Sequence, residues 1–381
     1  MNEPAPTPSS QLPVPDNSPK RIVIDARSRG STGRYAERVI HHLQDIDNAN
    51  DYFVIVKSEQ DIKLANPRWQ LVINDAKDYT FSEQLSLWWT IRRLKPDTTH
   101  FTMPQQPVLP LPGKRVTTIH DLTMMRWHNV NAINPWVYWF KEIVFRSLLW
   151  WVAHRSAAVI APTRWVKTDI VKTFRVDPIR AHVTYEAAEP IPGKAEPIES
   201  LEPKKYILFN GNVFPHKNVE RLIEAYRSIR LKHKDIKLVI AGNQGKPGAK
   251  LKEKTEEAGY DGIEWPGYVP DKQMKWLWAN AAVYVYPSLS EGFGLPGLES
   301  MLAGTPVASS NATCLPEVYG NAVEYFDPAD TVSMAEAINK IIGDSKRAKE
   351  LIKLGKQQLK KYSWRTTAEQ TLAVYQTVLA E

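Results

Sequence analysis

The sequence predicts an α/β protein built in two halves, on three observations. Short apolar runs rich in β-branched and aromatic residues alternate with helical patterns along most of the chain. A strand, a glycine-bearing loop and a helix follow one another at Arg21–Leu43, and the same unit returns at Ala281–Gly304. Between the halves, Glu189–Glu202 (EPIPGKAEPIESLE) holds three prolines and little apolar patterning, so it reads as a linker. The expected layout is a tail over 1–20, a first domain over 21–190, a linker over 191–203, a second domain over 204–362 and a closing helical segment over 363–381.

Composition sets the outer bounds. A length of 381 residues corresponds to two or three domains, and an apolar content of 43% can fill real cores. The single Cys314 excludes a disulfide framework within the chain, and no Cys/His spacing suggests structural zinc. There is no apolar run long enough to span a membrane and no apolar stretch near the start. A cytoplasmic protein is therefore expected. The net charge of +7 comes from basic residues scattered among nearly as many acids. That balance suits nucleotide substrates or the anionic inner face of the cytoplasmic membrane. Without a recognition motif for it, nucleic acid is not an expected partner.

Taken in order, the first half opens with a proline-rich stretch, Met1–Lys20, that reads as a disordered tail. Arg21–Asp25 (RIVID) is a buried-type strand running through ARSRGSTGRY into a helix that ends near Leu43. Gly30, Ser31 and Gly33 open that helix, and for Gly33 alone a tight βα turn is the plainer alternative. Tyr52–Val56, Trp69–Ile73, Thr99–Thr102 and Val116–Ile119 read as strands, with a helix over Ser82–Leu94. His120 and Asp121 stand just past the last of these strands, at the edge where open α/β sheets hold ligands. A histidine there suits polar recognition or proton chemistry, or is a satisfied structural residue. Asn134–Arg155 sets Trp136, Trp139, Trp150 and Trp151 among Lys141, Arg146, His154 and Arg155. It reads either as an interfacial amphipathic helix or as a helix packed on the sheet by one wide apolar face. A strand at Val159–Ala161, a helix over Thr163–Phe174 capped by Thr163, and a strand at Ala181–Tyr185 close this half.

The second half begins with a strand at Tyr206–Asn210, the loop Gly211–Asn218 (GNVFPHKN) and a helix over Glu220–Ile229. Lys217 falls near the start of that helix, where a cation and free N–H groups together favour a diphosphate. Leu238–Gly242 and Gly262–Val269 supply strands and turns, and Asp271–Ala281 a helix. Asn311–Val318, Val323–Phe326, a helix over Ser333–Ile342 and a last helix over Thr366–Leu379 complete the chain.

The stretch Ser290–Ser309 (SEGFGLPGLESMLAGTPVAS) is the one the rest serves. It leaves an apolar strand, Ala281–Pro287, and Gly292, Gly294 and Gly297 permit tight turning and close approach. Pro296 suits the first turn of a helix, Gly304 its C′ position, and Pro306 stops it. The free N–H groups of such a helix start form an anion site. Glu291 and Glu299 flank the same place, where a carboxylate would repel phosphate. Either they are ordinary first-turn charges, or they accept hydrogen bonds from hydroxyls. Phosphate on the backbone and hydroxyls on carboxylates together describe a nucleotide carrying a sugar.

Two glutamates separated by seven residues around GFGLPGL resemble the signature of the GT4-type retaining glycosyltransferases, or group 1 family. The resemblance covers Arg21–Leu379. It implies the GT-B fold, with two Rossmann-like domains facing across a cleft and no metal cofactor. It further implies transfer of a sugar from GDP-mannose or a UDP-hexose to a hydroxyl of a glycan or lipid-linked acceptor, with retention. By the same resemblance, the Gly30–Gly33 loop closes over the donor diphosphate, and His120 faces the donor sugar. Lys217 and the N–H groups of Gly292, Phe293, Gly294 and Leu295 stabilise the departing diphosphate, Glu291 orients the sugar, and Glu299 holds ribose hydroxyls. Tyr268 and Val269 meet the base through backbone atoms. Gly211 and Lys217 match the family's phosphate loop, but Asn212 stands where many members have arginine, which lowers the positive charge there. Asp45–Ile46–Asp47 lies in a polar run and reads as a turn, not as a metal motif. A transferase using a soluble acceptor, a nucleotide-binding protein of this fold without catalysis, and an epimerase or phosphorylase are the competing functions.

Overall fold

A computed structural model describes residues 18–28, 30–78, 80–127 and 135–380, apart from the side chains of Ser31, Pro135 and Tyr138. Positions 1–17, most of the expected tail, lie outside the described residues. The first sheet contains β1 (Arg21–Asp25), β2 (Asp51–Val56), β3 (Trp69–Ile73), β4 (Thr98–Phe101), β5 (Lys114–Thr118), β6 (Ala158–Ala161) and β7 (Ala181–Val183). Its order is β3-β2-β1-β4-β5-β6-β7, every pair parallel. Parallel neighbours need a crossover between them. α1 (Gly30–Ile46), α2 (Phe81–Leu94), α3 (Pro135–Arg155) and α4 (Arg164–Phe174) supply most of these. With helices on both faces the strands are buried on both sides: Ile22, Val23 and Ile24 of β1 are wholly buried, and so are the polar Thr98, Thr99 and His100 of β4.

The second sheet repeats the plan with β8 (Tyr206–Asn210), β9 (Lys237–Ala241), β10 (Ile263–Gly267), β11 (Val283–Tyr286), β12 (Val307–Ser310) and β13 (Glu324–Phe326). Its order is β10-β9-β8-β11-β12-β13, again parallel. Around it lie α5 (Val219–Lys232), α6 (Gly245–Glu257), α7 (Asp271–Asn280), α8 (Leu295–Leu302), α9 (Leu315–Tyr319), α10 (Thr331–Gly343) and α11 (Ser345–Leu359). The last helix, α12 (Trp364–Ala380), crosses back onto the first domain. Trp364, Ala368, Val374, Tyr375 and Val378 enter the same core as Tyr35, Val39 and Leu43 of α1. Tyr375 Oη meets His100 Nδ1 at 2.6 Å, and Lys114 Nζ donates to the Val378 carbonyl at 2.9 Å.

Three local expectations need correction. β4 and β5 start earlier than Thr99 and Val116 and stop before Thr102 and Ile119, because Thr98 pairs with Lys114 in the ladder although neither is apolar. α6 and α11 escape an apolar-period reading, since their sequences GKPGAKLKEKTEE and SKRAKELIKLGKQQL are mostly charged or otherwise polar. α11 is instead started by its cap: Asp344 accepts from the backbone N–H groups of Lys346 and Arg347 at 2.8 and 3.2 Å.

α3 settles between its two expected forms. Leu149 and Ala153 enter the core with Phe145 packed against them, so one face does pack on the sheet. Large apolar side chains also face outward, among the exposed Lys141, Arg146 and Arg155: Trp136 is 85% accessible and Phe140 67%, with Trp139, Ile143 and Trp150 also exposed.

Candidate active site

In open parallel sheets the crevice forms where strand order reverses. That point falls between β1 and β4 in the first sheet and between β8 and β11 in the second. The loops leaving these strands carry Gly30–Gly33, Gly211–Lys217 and Glu291–Leu295, and β5 delivers His120 to the same edge. Topology therefore gathers most of the sequence-predicted residues into one cleft. Tyr268, after β10, is exposed, while the Val269 side chain is buried in the second core, leaving its backbone for contact.

The two domains meet across this cleft through backbone. A Cβ on Gly292 would lie 2.0 Å from the His120 carbonyl oxygen, so this approach requires glycine. Thr163 Oγ1 donates to the Gly292 carbonyl at 3.1 Å, and the Thr123 and Ser290 hydroxyls meet at 2.9 Å. Glu317, on α9, accepts from the backbone N–H groups of Arg164 and Trp165 at the start of α4, at 2.8 and 2.9 Å, and from Tyr185 Oη at 2.9 Å. A carboxylate at a helix N-terminus satisfies orphan donors and favours the dipole.

Gly294 adopts the left-handed region (φ +98°) as the cap of α8. Its carbonyl accepts from Tyr319 Oη at 2.6 Å. Phe293 is buried, with the rings of Tyr185 and Tyr362 centred 6.4 and 5.5 Å away. That side chain anchors the loop while its backbone, with Leu295, faces the α8 start. Gly33 also has a local reason: a Cβ there would lie 2.7 Å from the Ser28 carbonyl oxygen. Gly30 is left-handed (φ +70°) with open space around it, and the Ser31 side chain lies outside the described residues. The Gly211 N–H donates to Ala241 O at 2.9 Å, and Asn212 is exposed.

Charges in the cleft are paired. Lys217 closes a 3₁₀ turn, Pro215–Lys217, and its Nζ donates to Glu291 Oε1 at 2.6 Å. Nζ also stands 5.6 Å from the Tyr286 ring centre. Burial works to raise the Glu291 pKa, but the charge and hydrogen bond of Lys217 overcome it and hold the carboxyl below its ordinary value. Asn218, itself left-handed (φ +59°), fixes this turn by donating to the carbonyls of Pro287 and Pro328 at 3.0 and 2.7 Å. Glu299 is buried on α8 and pairs across the cleft with Arg34 of α1.

His120 uses both ring nitrogens. Nε2 donates to the Thr102 carbonyl at 3.1 Å, and Nδ1 faces Glu186 Oε1 at 3.0 Å. A carbonyl only accepts and a carboxylate strongly prefers a donor, so the doubly protonated ring fits best. Burial opposes that charge, but Glu186, Asp121 and the Thr102 carbonyl outweigh it and raise the His120 pKa. Beside it, at the β1–β4 switch, a cavity of about 200 Å³ is lined by Asp25, Arg27, Asp78, Glu83 and Gln105 among others. There Arg27 Nε meets Asp25 at 2.9 Å and Gln105 donates to Glu83 at 2.6 Å.

Sequence reading missed Glu186, Arg34, Asn218 and Glu317. Glu186 had a usable signal, lying just past β7 on the same sheet edge as His120; the other three act mainly through contacts distant in sequence. As for metals, His41, His42 and Asp45 bring ligand atoms within 4.8 Å of one another, near the far end of α1 from the Gly30 loop.

Comparisons with known proteins bear on the family and the fold. The family model described as Glycosyl transferases group 1 matches residues 194–358, and that described as Glycosyltransferase Family 4 matches residues 32–189. The O-antigen chain mannosyltransferase B of Escherichia coli is 29% identical over 272 residues, covering 69% of this chain and 70% of that protein. The O-antigen chain mannosyltransferase RfbU of Salmonella typhimurium is 29% identical over 248 residues, so the chain spans 64% of that relative's length and 64% of its own is matched. Among solved structures, Anabaena Alr3699/HepE in complex with UDP and glucose superposes with a TM-score of 0.68 at 14% identity. That match covers 94% of this chain and 100% of the other, and is a likeness of fold.

Proposed function

The chain belongs to the group 1, family 4 glycosyltransferases and has their GT-B fold, and on that premise we propose that it transfers mannose from GDP-mannose to a cell-envelope glycan or lipid-linked acceptor, retaining the anomeric configuration. The observation that carries this reading is the pairing of Lys217 with Glu291 and of Arg34 with Glu299 on either side of the Gly292–Leu295 backbone. Each pair holds an acid suited to hydroxyls beside a cation suited to phosphate. The mannosyltransferase names of the two curated relatives support the sugar, and a UDP-hexose is the second candidate.

On binding, the diphosphate takes Lys217 and the N–H groups at the α8 start, and Glu291 turns to sugar hydroxyls. Glu299 accepts from the ribose, with Arg34 and the Gly30–Gly33 loop closing over the phosphates. Tyr268 and the Val269 backbone border the base. The bond between the anomeric carbon and the phosphate oxygen breaks while the acceptor oxygen bonds on the same face. The acceptor proton passes to the departing phosphate oxygen. Lys217 and the backbone donors stabilise the growing negative charge, which removes the need for a metal. His120, paired with Glu186, borders the sugar, and its carbonyl packs against Gly292. The acceptor enters from the acidic cavity at the β1–β4 switch, whose carboxylates suit sugar hydroxyls.

No described helix is long and apolar enough to cross a membrane. The outward tryptophans of α3 instead support peripheral contact with an anionic membrane face, which brings a lipid-linked acceptor to the first domain. The test is nucleotide release from GDP-, UDP- and ADP-sugars, with glycan and lipid-linked acceptors, with and without chelator. Acceptor-dependent release that chelator leaves unchanged is expected. Binding without consumption of any donor would leave only a nucleotide-binding protein.

A further inference from the structure

At the opposite sheet edge from the cleft, where β5 begins and α3 ends, lies a cavity of about 530 Å³ whose lining includes five basic residues. Lys114 and Arg115 come from the start of β5, His154 and Arg155 from the last turn of α3, and Arg180 from the turn before β7. No carboxylate lines it, and no ion pair to an acid reaches Lys114, Arg115, Arg155 or Arg180 among the described residues. The donors of Lys114, Arg115 and Arg180 go mainly to backbone, with one from Arg115 to the Gln106 side-chain oxygen at 3.2 Å. Arg115 donates to the carbonyls of Pro107 and Leu109 at 2.9 and 2.7 Å, Arg180 to that of His154 at 3.0 Å, and Lys114 to that of Val378. These bonds fix the cations without neutralising them, and Arg180 also occupies the carbonyls at the negative end of α3. Burial, and then the charge of Arg155, bring the Arg115 pKa down to about 10, as expected for like charges gathered without a counter-ion.

Such a set repels itself until an anion completes it. We propose that this cavity binds a phosphate group, presented by the headgroup of an anionic phospholipid. A phosphate matches the diverging guanidinium and ammonium donors. The lipid source follows from the surroundings: Trp151 forms one wall, with the Arg115 guanidinium 4.7 Å from its ring centre, and the exposed Trp150 begins the apolar outer face of α3. A free phosphate would need no such surface, whereas a headgroup brings an acyl boundary to it. The lipid source rests on the membrane contact of α3 proposed above, whereas the phosphate site itself does not, and the identities of donor and acceptor do not enter.

Arg155→Glu is the informative variant, because Arg155 is exposed and holds no described hydrogen bond. Flotation with phosphatidylglycerol-containing and pure phosphatidylcholine vesicles at low salt reads lipid binding, and hydrogen exchange over 107–115 in millimolar inorganic phosphate reads the cavity itself. The wild-type protein should float with the anionic vesicles only and show slowed exchange with phosphate. Each basic residue at an anionic surface contributes about 1 kcal/mol, so the reversal should lower partitioning roughly tenfold or more. Its melting temperature and its nucleotide release in solution should match the wild type. Protection by phosphate without flotation would keep the phosphate site and overturn the lipid source. Equal flotation of variant and wild type, with no protection by phosphate, would overturn the site.

Discussion

Replacing Lys217 by alanine removes the cation 2.6 Å from Glu291 while the acid stays in place, in a site where the two side chains are only 16% and 11% accessible. Breaking one side of a buried pair costs about 3–5 kcal/mol, because a charge is left uncompensated. Residual water access and protonation of Glu291 should lower this to about 2–3 kcal/mol. A domain of this size then melts roughly 5–10 °C lower. Separately, losing the cation that meets the leaving diphosphate should cut turnover about 10²–10³-fold. The two effects come apart in the double variant Lys217→Ala/Glu291→Ala, which has no orphaned charge. It should regain most of the lost melting temperature and none of the turnover. Thermal melts beside nucleotide release measure both quantities on the same preparations. A double variant no more stable than Lys217→Ala, or either variant turning over at the wild-type rate, would refute the reasoning.

Glu299→Ala should weaken nucleotide binding about tenfold by titration, since bound ribose hydroxyls lose their acceptor, and Glu291→Ala should lower transfer more than nucleotide affinity. Gly292→Ala should separate the domains, because its methyl needs the space of the His120 carbonyl 2.0 Å away; lost protection of Thr163–Trp165 in hydrogen exchange would report it. The raised pKa of His120 makes its pairing with Glu186 a stabilising contribution that is fully present below the unfolded value of 6.5 and lost as pH rises through the folded one. Urea unfolding from pH 6 to 9 should show this decline in the wild type and a flatter profile in Glu186→Gln. Identical profiles would deny the pairing its role.

Much of this arrangement is legible in the chain because parallel sheets write themselves in apolar runs. RIVID, AVIA and VYVY announce strands, and the glycines after β1, β8 and β11 mark the crevice edge. The Glu291–Glu299 spacing carries the family. What stays hidden is contact across the cleft. Nothing near Arg34 in sequence announces Glu299, and Glu317 looks like an ordinary helix acid until α4 is placed against it. α6 and α11 hide for a different reason, being held by a few small or apolar positions on strongly polar helices, with a side-chain cap, Asp344, on α11. The outward face of α3 is illegible in principle: the same tryptophans serve a core or a surface, and only packing decides which.

The central claim is retaining transfer from a nucleotide sugar at the Lys217–Glu291 cleft. The most direct measurement is the anomeric configuration of the product made from GDP-α-mannose, read from its one-bond C1–H1 coupling by NMR, with Lys217→Ala in parallel. An α-linked product that the wild type forms and the variant does not is the predicted result. A β-linked product, or α-linked product formed equally well without Lys217, would contradict it.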